Sequence, residues 1–369
     1  MSNRDPNTYK LLTPGPLTTT LTVREAMLVD RCTWDDDYKS MTQDIRARLL
    51  KIAHAGDDYT AVLMQGSGTF GVESVLSSLP GANDHVLVLV NGAYSKRMCE
   101  ILARHKIAHT ALEFDWAETP DTAAVEAHLA AHPEVTMVSM VHNETTTGLL
   151  NDIESVARVV KAAGRTMIVD AMSSFGAVDI DVPGLDLDVV VSSANKCIQG
   201  VPGFSFVIVK KAVLEASKGN ARTLSLDLYD QWATLEKDGG KWRYTSPTHV
   251  VAAFHQALLE LEAEGGVAAR GKRYAEMNRR LREGMEKLGF RAYVTPEHQG
   301  PIITTFFYPS DDFSFDDMYA ALKREGYVIY PGKLTERPSF RLGNIGEIHA
   351  EDVEAILELF SKYTASHRA

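Results

Sequence analysis

The chain is short of cysteine, of net positive charge and of long apolar runs, and each shortage excludes something. Cys32, Cys99 and Cys197 are the only three cysteines in 369 residues, widely spaced and without a CxxC or Cys/His metal spacing. That usage fits reduced thiols rather than a disulfide framework and gives no metal site. The 38 Lys and Arg are outnumbered by 49 Asp and Glu, for a net charge of −11. Such a balance argues against nucleic acid or an anionic membrane as the main partner. It also means that an anionic small molecule must be drawn in by local positive charge. No apolar run reaches membrane-spanning length, and the opening MSNRDPNTYK has no signal-peptide core. Repeats and low-complexity tracts are absent as well. A soluble cytoplasmic protein is the expectation.

What is present is enough chain for a large domain and a smaller one. Short apolar runs at 59–64, 85–90, 107–112, 135–141, 166–169, 187–193 and 204–209 alternate with helical patterns such as 95–105, 122–132 and 153–163. Several runs are unbroken Val, Ile and Met, as in strands covered on both faces. The alternation predicts an α/β fold with a mostly parallel, doubly wound sheet. The 204–209 run follows a tight Gly200-Val-Pro-Gly203 turn and is expected at an edge or antiparallel. After residue 289 a second set follows: strands at 290–295, 302–308, 328–330 and 339–342, with helices at 314–325 and 350–365. These make a compact α+β unit. The division expected is an N-terminal arm at 1–20, a large domain at 21–255 and a small domain at 256–369.

Lys196 and Asp170 each sit at the C-terminal end of a predicted buried strand. In open α/β sheets, ligands bind just outside those ends. A lysine amine forms a Schiff base with an aldehyde, and a carboxylate can keep a ring nitrogen protonated. Together these are the protein's share of pyridoxal-phosphate chemistry. Gln65-Gly-Ser-Gly-Thr-Phe-Gly71 follows the first strand and opens a helix, so backbone N–H groups and the hydroxyls of Ser67 and Thr69 can cradle a phosphate. Gly66, Gly68 and Gly71 also satisfy a dinucleotide pattern, but that reading wants an acid where Asn91 stands. A glycine turn with no ligand is the remaining alternative.

Tyr94 ends the second strand and could stack on a flat ring or simply pack. In His142-Asn-Glu-Thr-Thr-Thr-Gly148, Thr145 could bond a phenolic oxygen, while His142 beside Glu144 reads as an acid–base pair or as structure. Arg341, between apolar neighbours on a small-domain strand, should find an anion, either a salt-bridge partner or a carboxylate or phosphonate ligand. Glu260 to Glu264 and the cluster Arg279, Arg280 and Arg282 read as solvated helix faces.

Assembled in order, Thr13-Pro-Gly-Pro16, Gln65-Gly-Ser-Gly68, His142-x-Glu-Thr-Thr-Thr-Gly148, Asp170-Ala-Met-Ser-Ser174 and Ser193-Ala-Asn-Lys-Cys197 resemble the class V aminotransferases. The resemblance runs from about Leu11 to Leu359. It is nearest to the branch acting on 2-aminoethylphosphonate and pyruvate, through Cys32-Thr-Trp-Asp-Asp-Asp-Tyr38, Leu224-Ser-Leu-Asp-Leu-Tyr229, Lys241-Trp-Arg-Tyr-Thr-Ser-Pro-Thr-His249 and Tyr330-Pro-Gly-Lys333. An alanine– or serine–glyoxylate aminotransferase is the alternative. The resemblance implies a fold type I pyridoxal-phosphate enzyme. Lys196 and Asp170 would be catalytic, with Ser67, Gly68, Thr69, Tyr94 and Thr145 around the cofactor and Arg341 on the substrate. It further implies that Thr245 reaches the phosphate of a second subunit's cofactor in a homodimer. Trp34 to Tyr38, Arg243 and Lys333 are candidates for the phosphonate pocket.

Overall fold

A computed structural model describes residues 9–334 and 337–366. Its central sheet has seven strands: β1 (Tyr59–Gln65), β2 (His85–Val90), β3 (Ala108–Glu113), β4 (Met137–Val141), β5 (Thr166–Asp170), β6 (Val189–Ser193) and β7 (Phe204–Lys210). Their order across the sheet is β1-β7-β6-β5-β4-β2-β3. All run parallel except β7, which is antiparallel to both its neighbours, β1 and β6. The architecture is α/β with a mostly parallel sheet.

β7 is antiparallel, as one alternative had it, but it is not at an edge. Only residues 194–203 separate it from β6, too few for the helical crossover that a parallel return requires. It therefore doubles straight back and slots between β6 and β1. The interior strands β4 and β6 are buried along their whole length, matching their unbroken apolar runs. β3 is a true edge, and all of its residues are exposed or half-buried.

Three further strands form an antiparallel sheet: β8 (Ile303–Phe307), β9 (Tyr330–Pro331) and β10 (Ser339–Gly343), with β10 central. The expected strand at 290–295 is not formed. A single bridge between Ala292 and Phe306 is all that pairs there. The 328–330 run divides into Tyr327–Val328, which pairs with Lys10–Leu11, and β9. Helices Phe315–Arg324 and Ala350–Ser366 cover this sheet with a second apolar cluster built on Phe290, Phe306, Phe340 and Phe360. The Thr248–Glu264 helix packs, through Val251 to Leu261, with the large cluster; from Met277 onward the chain packs with the small one. Leu12 joins the small cluster too, so the N-terminal segment is part of that unit's packing.

The predicted acidic and basic runs come out differently. Arg279 and Arg280 pair with Glu276 and Glu283 along an exposed helix face, as read. Glu264 instead holds the fully buried Arg270, together with Arg273, so the end of the acidic run is structural.

Candidate active site

Because β1, β2, β4, β5 and β6 run the same way, their C-terminal ends lie along one edge of the sheet, and the loops that follow meet there. They enclose a cavity of about 200 Å³ lined by Ser67, Thr69, Tyr94, Asp170 and Lys196, among others. A smaller recess behind it is shared by Tyr94, Thr145, Asp170 and Lys196. Five separate stretches of sequence are thus brought to one place.

Lys196 donates from Nζ to the Pro14 carbonyl at 2.7 Å. Burial, the largest influence, lowers its ammonium from the usual lysine value, against the opposing pull of Tyr94, Cys197 and Asp170. Lowering favours the free amine, which is the form that attacks a carbonyl or accepts a proton. Asp170 is buried, and its carboxylate accepts from the Met172 amide at 2.9 Å. Burial pushes its pKa up to about 7, helped by Glu144 and opposed by Lys196 and Arg97. A cationic ring nitrogen against this carboxylate would restore its ionisation. The pair therefore fits a pyridinium aldehyde.

The cradle is made where β1 turns into the Gly68–Ser78 helix. Ser67 is its N-cap, yet its hydroxyl makes no capping hydrogen bond, so it is free to donate into the cavity together with the helix N–H groups. Thr69 accepts from Arg97 Nη1 at 3.2 Å. Arg97 lies one turn beyond Tyr94 and lines the cavity, with its guanidinium 5.0 Å from the Tyr94 ring centroid. Sequence reading passed over it. The signal available was the i, i+3 spacing from Tyr94, which places both on one helix face. Ser193 and Asn195, also in the cavity lining, were passed over as well.

Tyr94 is half-buried at the start of the Ala93–Arg104 helix. Burial opposes its ionisation, but a hydrogen bond with Thr145 and the charges of Lys196, Lys333 and Arg341 outweigh it and lower the phenol below its usual value. The His142–Glu144 pair forms no acid–base dyad. Burial drops His142 to about 4, and its Nδ1 has no hydrogen-bond partner. Glu144 accepts from Thr146 Oγ1 at 2.8 Å and from the amides of Tyr94 and Ser95 at 3.3 and 3.4 Å, so it caps the helix that presents Tyr94.

Arg341 comes from β10 across the cleft. It donates to the carbonyls of Pro331 (3.0 Å) and Thr145 (3.1 Å) and is hydrogen-bonded to Tyr94. Burial lowers it, against the pull of Tyr94 and Tyr330. Among the described residues its bonds are to carbonyls and a phenol and none is to a carboxylate, which leaves the charge of a buried cation to be met by a ligand.

The dinucleotide reading has no support in the geometry. Asn91 is buried and its amide donates to Glu118 O and Asn151 Oδ1 at 3.1 and 2.7 Å, within the protein. Trp34 is largely exposed beneath Lys39 and Lys241, Tyr38 bonds Ser246, and Arg243 bonds the carbonyls of Leu224 and Asp227. None of them lines this chain's cavity, and neither does Thr245, which is exposed.

The sequence model of the family described as Aminotransferase class-V matches residues 33–349. The chain belongs to the class V aminotransferases. Among curated members, it is 54% identical over 356 residues to the 2-aminoethylphosphonate–pyruvate transaminase of Lysinibacillus sphaericus (strain C3-41), covering 96% of this chain and 97% of that one. It is 52% identical to the enzyme of the same name from Salmonella heidelberg (strain SL476), covering 95% and 96%. In fold, this aminotransferase superposes on the ureidoglycine–glyoxylate aminotransferase of Bacillus subtilis with a TM-score of 0.90 at 19% identity, covering 100% of this chain and 96% of that one.

Proposed function

We propose that this class V aminotransferase moves the amino group of 2-aminoethylphosphonate to pyruvate, giving phosphonoacetaldehyde and L-alanine, a step in phosphonate degradation. The observation that carries it is Arg341, a buried guanidinium with no carboxylate partner among the described residues, hydrogen-bonded to Tyr94 and close enough to Lys196 for its charge to act on that amine. The relatives named above support the choice of substrates.

Pyridoxal phosphate, bound here, supplies an aldehyde that takes up the amino group and a ring that accepts electrons from the substrate carbon. Ser67, Gly68, Thr69 and Arg97, which line the cavity, would hold its phosphate. Asp170 would keep the ring nitrogen protonated, Tyr94 would stack on the ring, and Thr145 would bond its phenolic oxygen. Lys196 would be the residue that holds the cofactor covalently. Its Nζ, held towards the free amine by burial, would carry the proton between the substrate carbon and the cofactor. Arg341 accepts the phosphonate in one half-reaction and the carboxylate of pyruvate or alanine in the other, and fixes the reacting end over the ring. Thr245, exposed on its own chain, would serve a second copy's site in a cytoplasmic homodimer.

The test is the visible spectrum of the holoenzyme during titration. Bleaching by 2-aminoethylphosphonate and by alanine, with recovery on adding pyruvate, is expected. Bleaching by serine but not by the phosphonate would replace this reading with a serine–glyoxylate type of aminotransferase.

A further inference from the structure

Arg341 is not the only cation from its part of the chain that comes close to Tyr94. The Lys333 Nζ lies 5.2 Å from the Tyr94 ring centroid, and its charge helps lower that phenol. Lys333 is placed there by the same hairpin that places Arg341. The Arg341 Nε donates to the Pro331 carbonyl, two residues before Lys333, and the Gly332 amide donates to the Ser339 carbonyl at 2.9 Å, two residues before Arg341. A Cβ at Gly332 would overlap Ser339, so the closeness of the two segments depends on glycine there. Among the described residues Lys333 has no carboxylate at ion-pair distance, and its side chain is exposed at the mouth of the site.

A guanidinium fork saturates two oxygens of an anion. That is all a carboxylate has. A phosphonate is tetrahedral, with a third oxygen and a second ionisation near neutral pH, so the fork leaves one oxygen and part of the charge unmet. A lysine, a point charge with three rotatable donors, suits that remaining oxygen. We propose that Lys333 is a specificity residue, which binds the third phosphonate oxygen and so makes the site prefer 2-aminoethylphosphonate over a carboxylate-only amino donor. The proposal rests on the transaminase reading above and adds to it which residue discriminates.

The experiment compares half-reactions of the holoenzyme with 2-aminoethylphosphonate and with L-alanine, for wild type, Lys333→Met and Lys333→Arg. In Lys333→Met, the ratio of kcat/KM for the phosphonate to that for alanine should fall roughly tenfold or more, the size of one charge-assisted hydrogen bond near solvent. The change should lie in KM, and Lys333→Arg should recover most of it. An unchanged ratio, whether both values fall together or neither moves, would overturn the role of Lys333 while leaving the transaminase reading intact. A wild-type enzyme that reacts with alanine but not with the phosphonate would overturn both.

Discussion

Lys196 Nζ meets the Pro14 carbonyl at 2.7 Å because residue 15 between them in the packing has no side chain. A Cβ on Gly15 would sit 2.6 Å from that Nζ and 2.8 Å from the lysine Cδ, and the backbone there has φ +112°. Gly15→Ala therefore both displaces the amine and strains the loop. Leu12, Thr13 and Leu17 around it are buried, so the melting temperature should fall as well. Turnover should fall at least roughly 100-fold, the usual cost of misplacing a reacting group by an ångström. Equal activity in Gly15→Ala would show that the Pro14 contact does not set the position of Lys196.

Asp170 gives a prediction with a sign. Burial raises its pKa from 3.8 to about 7, so between those values the folded protein binds more protons than the unfolded chain. Stability from this group is then greatest at low pH and declines as pH rises through that window. In the protein stripped of cofactor, Asp170→Asn removes the decline. The variant's stability should gain on wild type from about pH 4 to about pH 7 and level off above that, by an amount on the order of a few kcal/mol. Glu144, also raised by burial, acts on Asp170 through its charge, so Asp170→Asn relieves Glu144 as well and adds to the gain in the same direction. Parallel curves for the two proteins would rule out a titrating Asp170. In the loaded enzyme the same substitution should abolish turnover, since Asn cannot hold a ring nitrogen protonated.

Arg97 touches Thr69 and lines the cavity on the phosphate side, while the chain as a whole carries a charge of −11. A local cation is what lets a dianion settle against that field. Arg97→Met should weaken pyridoxal-phosphate binding roughly 10- to 100-fold. Spectroscopic titration of the stripped protein measures this directly. Weakened turnover at saturating cofactor with unchanged affinity would point instead to its contact with Tyr94.

Parallel strands were legible because both their faces are covered, so their sequences are apolar without interruption. β2 agrees to the residue, and the others differ by a residue or two at an end. The place of β7 inside the sheet was not legible, since an apolar run says that a strand is buried and not which neighbours bury it. Residues 290–295 misled for a related reason. Their alternation satisfies a strand pattern, but only Ala292 finds a bridging partner, with Phe290 spent on the aromatic cluster instead. At the site, Lys196 and Asp170 announce themselves by chemistry and by position at strand ends. Arg97 does not, because an arginine on a helix resembles many solvated ones until the fold turns its face to a cavity. The same holds for Glu144, whose work is to cap a helix that is distant in sequence.

Arg341 is asked to bind two anions of different shape, one in each half-reaction, and this makes its removal diagnostic. Its two backbone contacts, Pro331 and Thr145, come from opposite sides of the cleft. The side chain is therefore already oriented before substrate arrives, and little of the binding is lost to ordering it. Arg341→Met keeps the length and apolar packing of the stem but removes the fork. KM for 2-aminoethylphosphonate and KM for pyruvate should both rise, each roughly 10- to 100-fold, the worth of a charge-assisted pair in a desolvated site. Arg341→Lys keeps the charge without the fork and should recover only part of either, since a point charge cannot bond two oxygens in one plane. Steady-state kinetics with each substrate varied in turn separates the two constants. A rise in only one of them would mean that the phosphonate and the carboxylate are held by different residues, and the single-anchor account would fail.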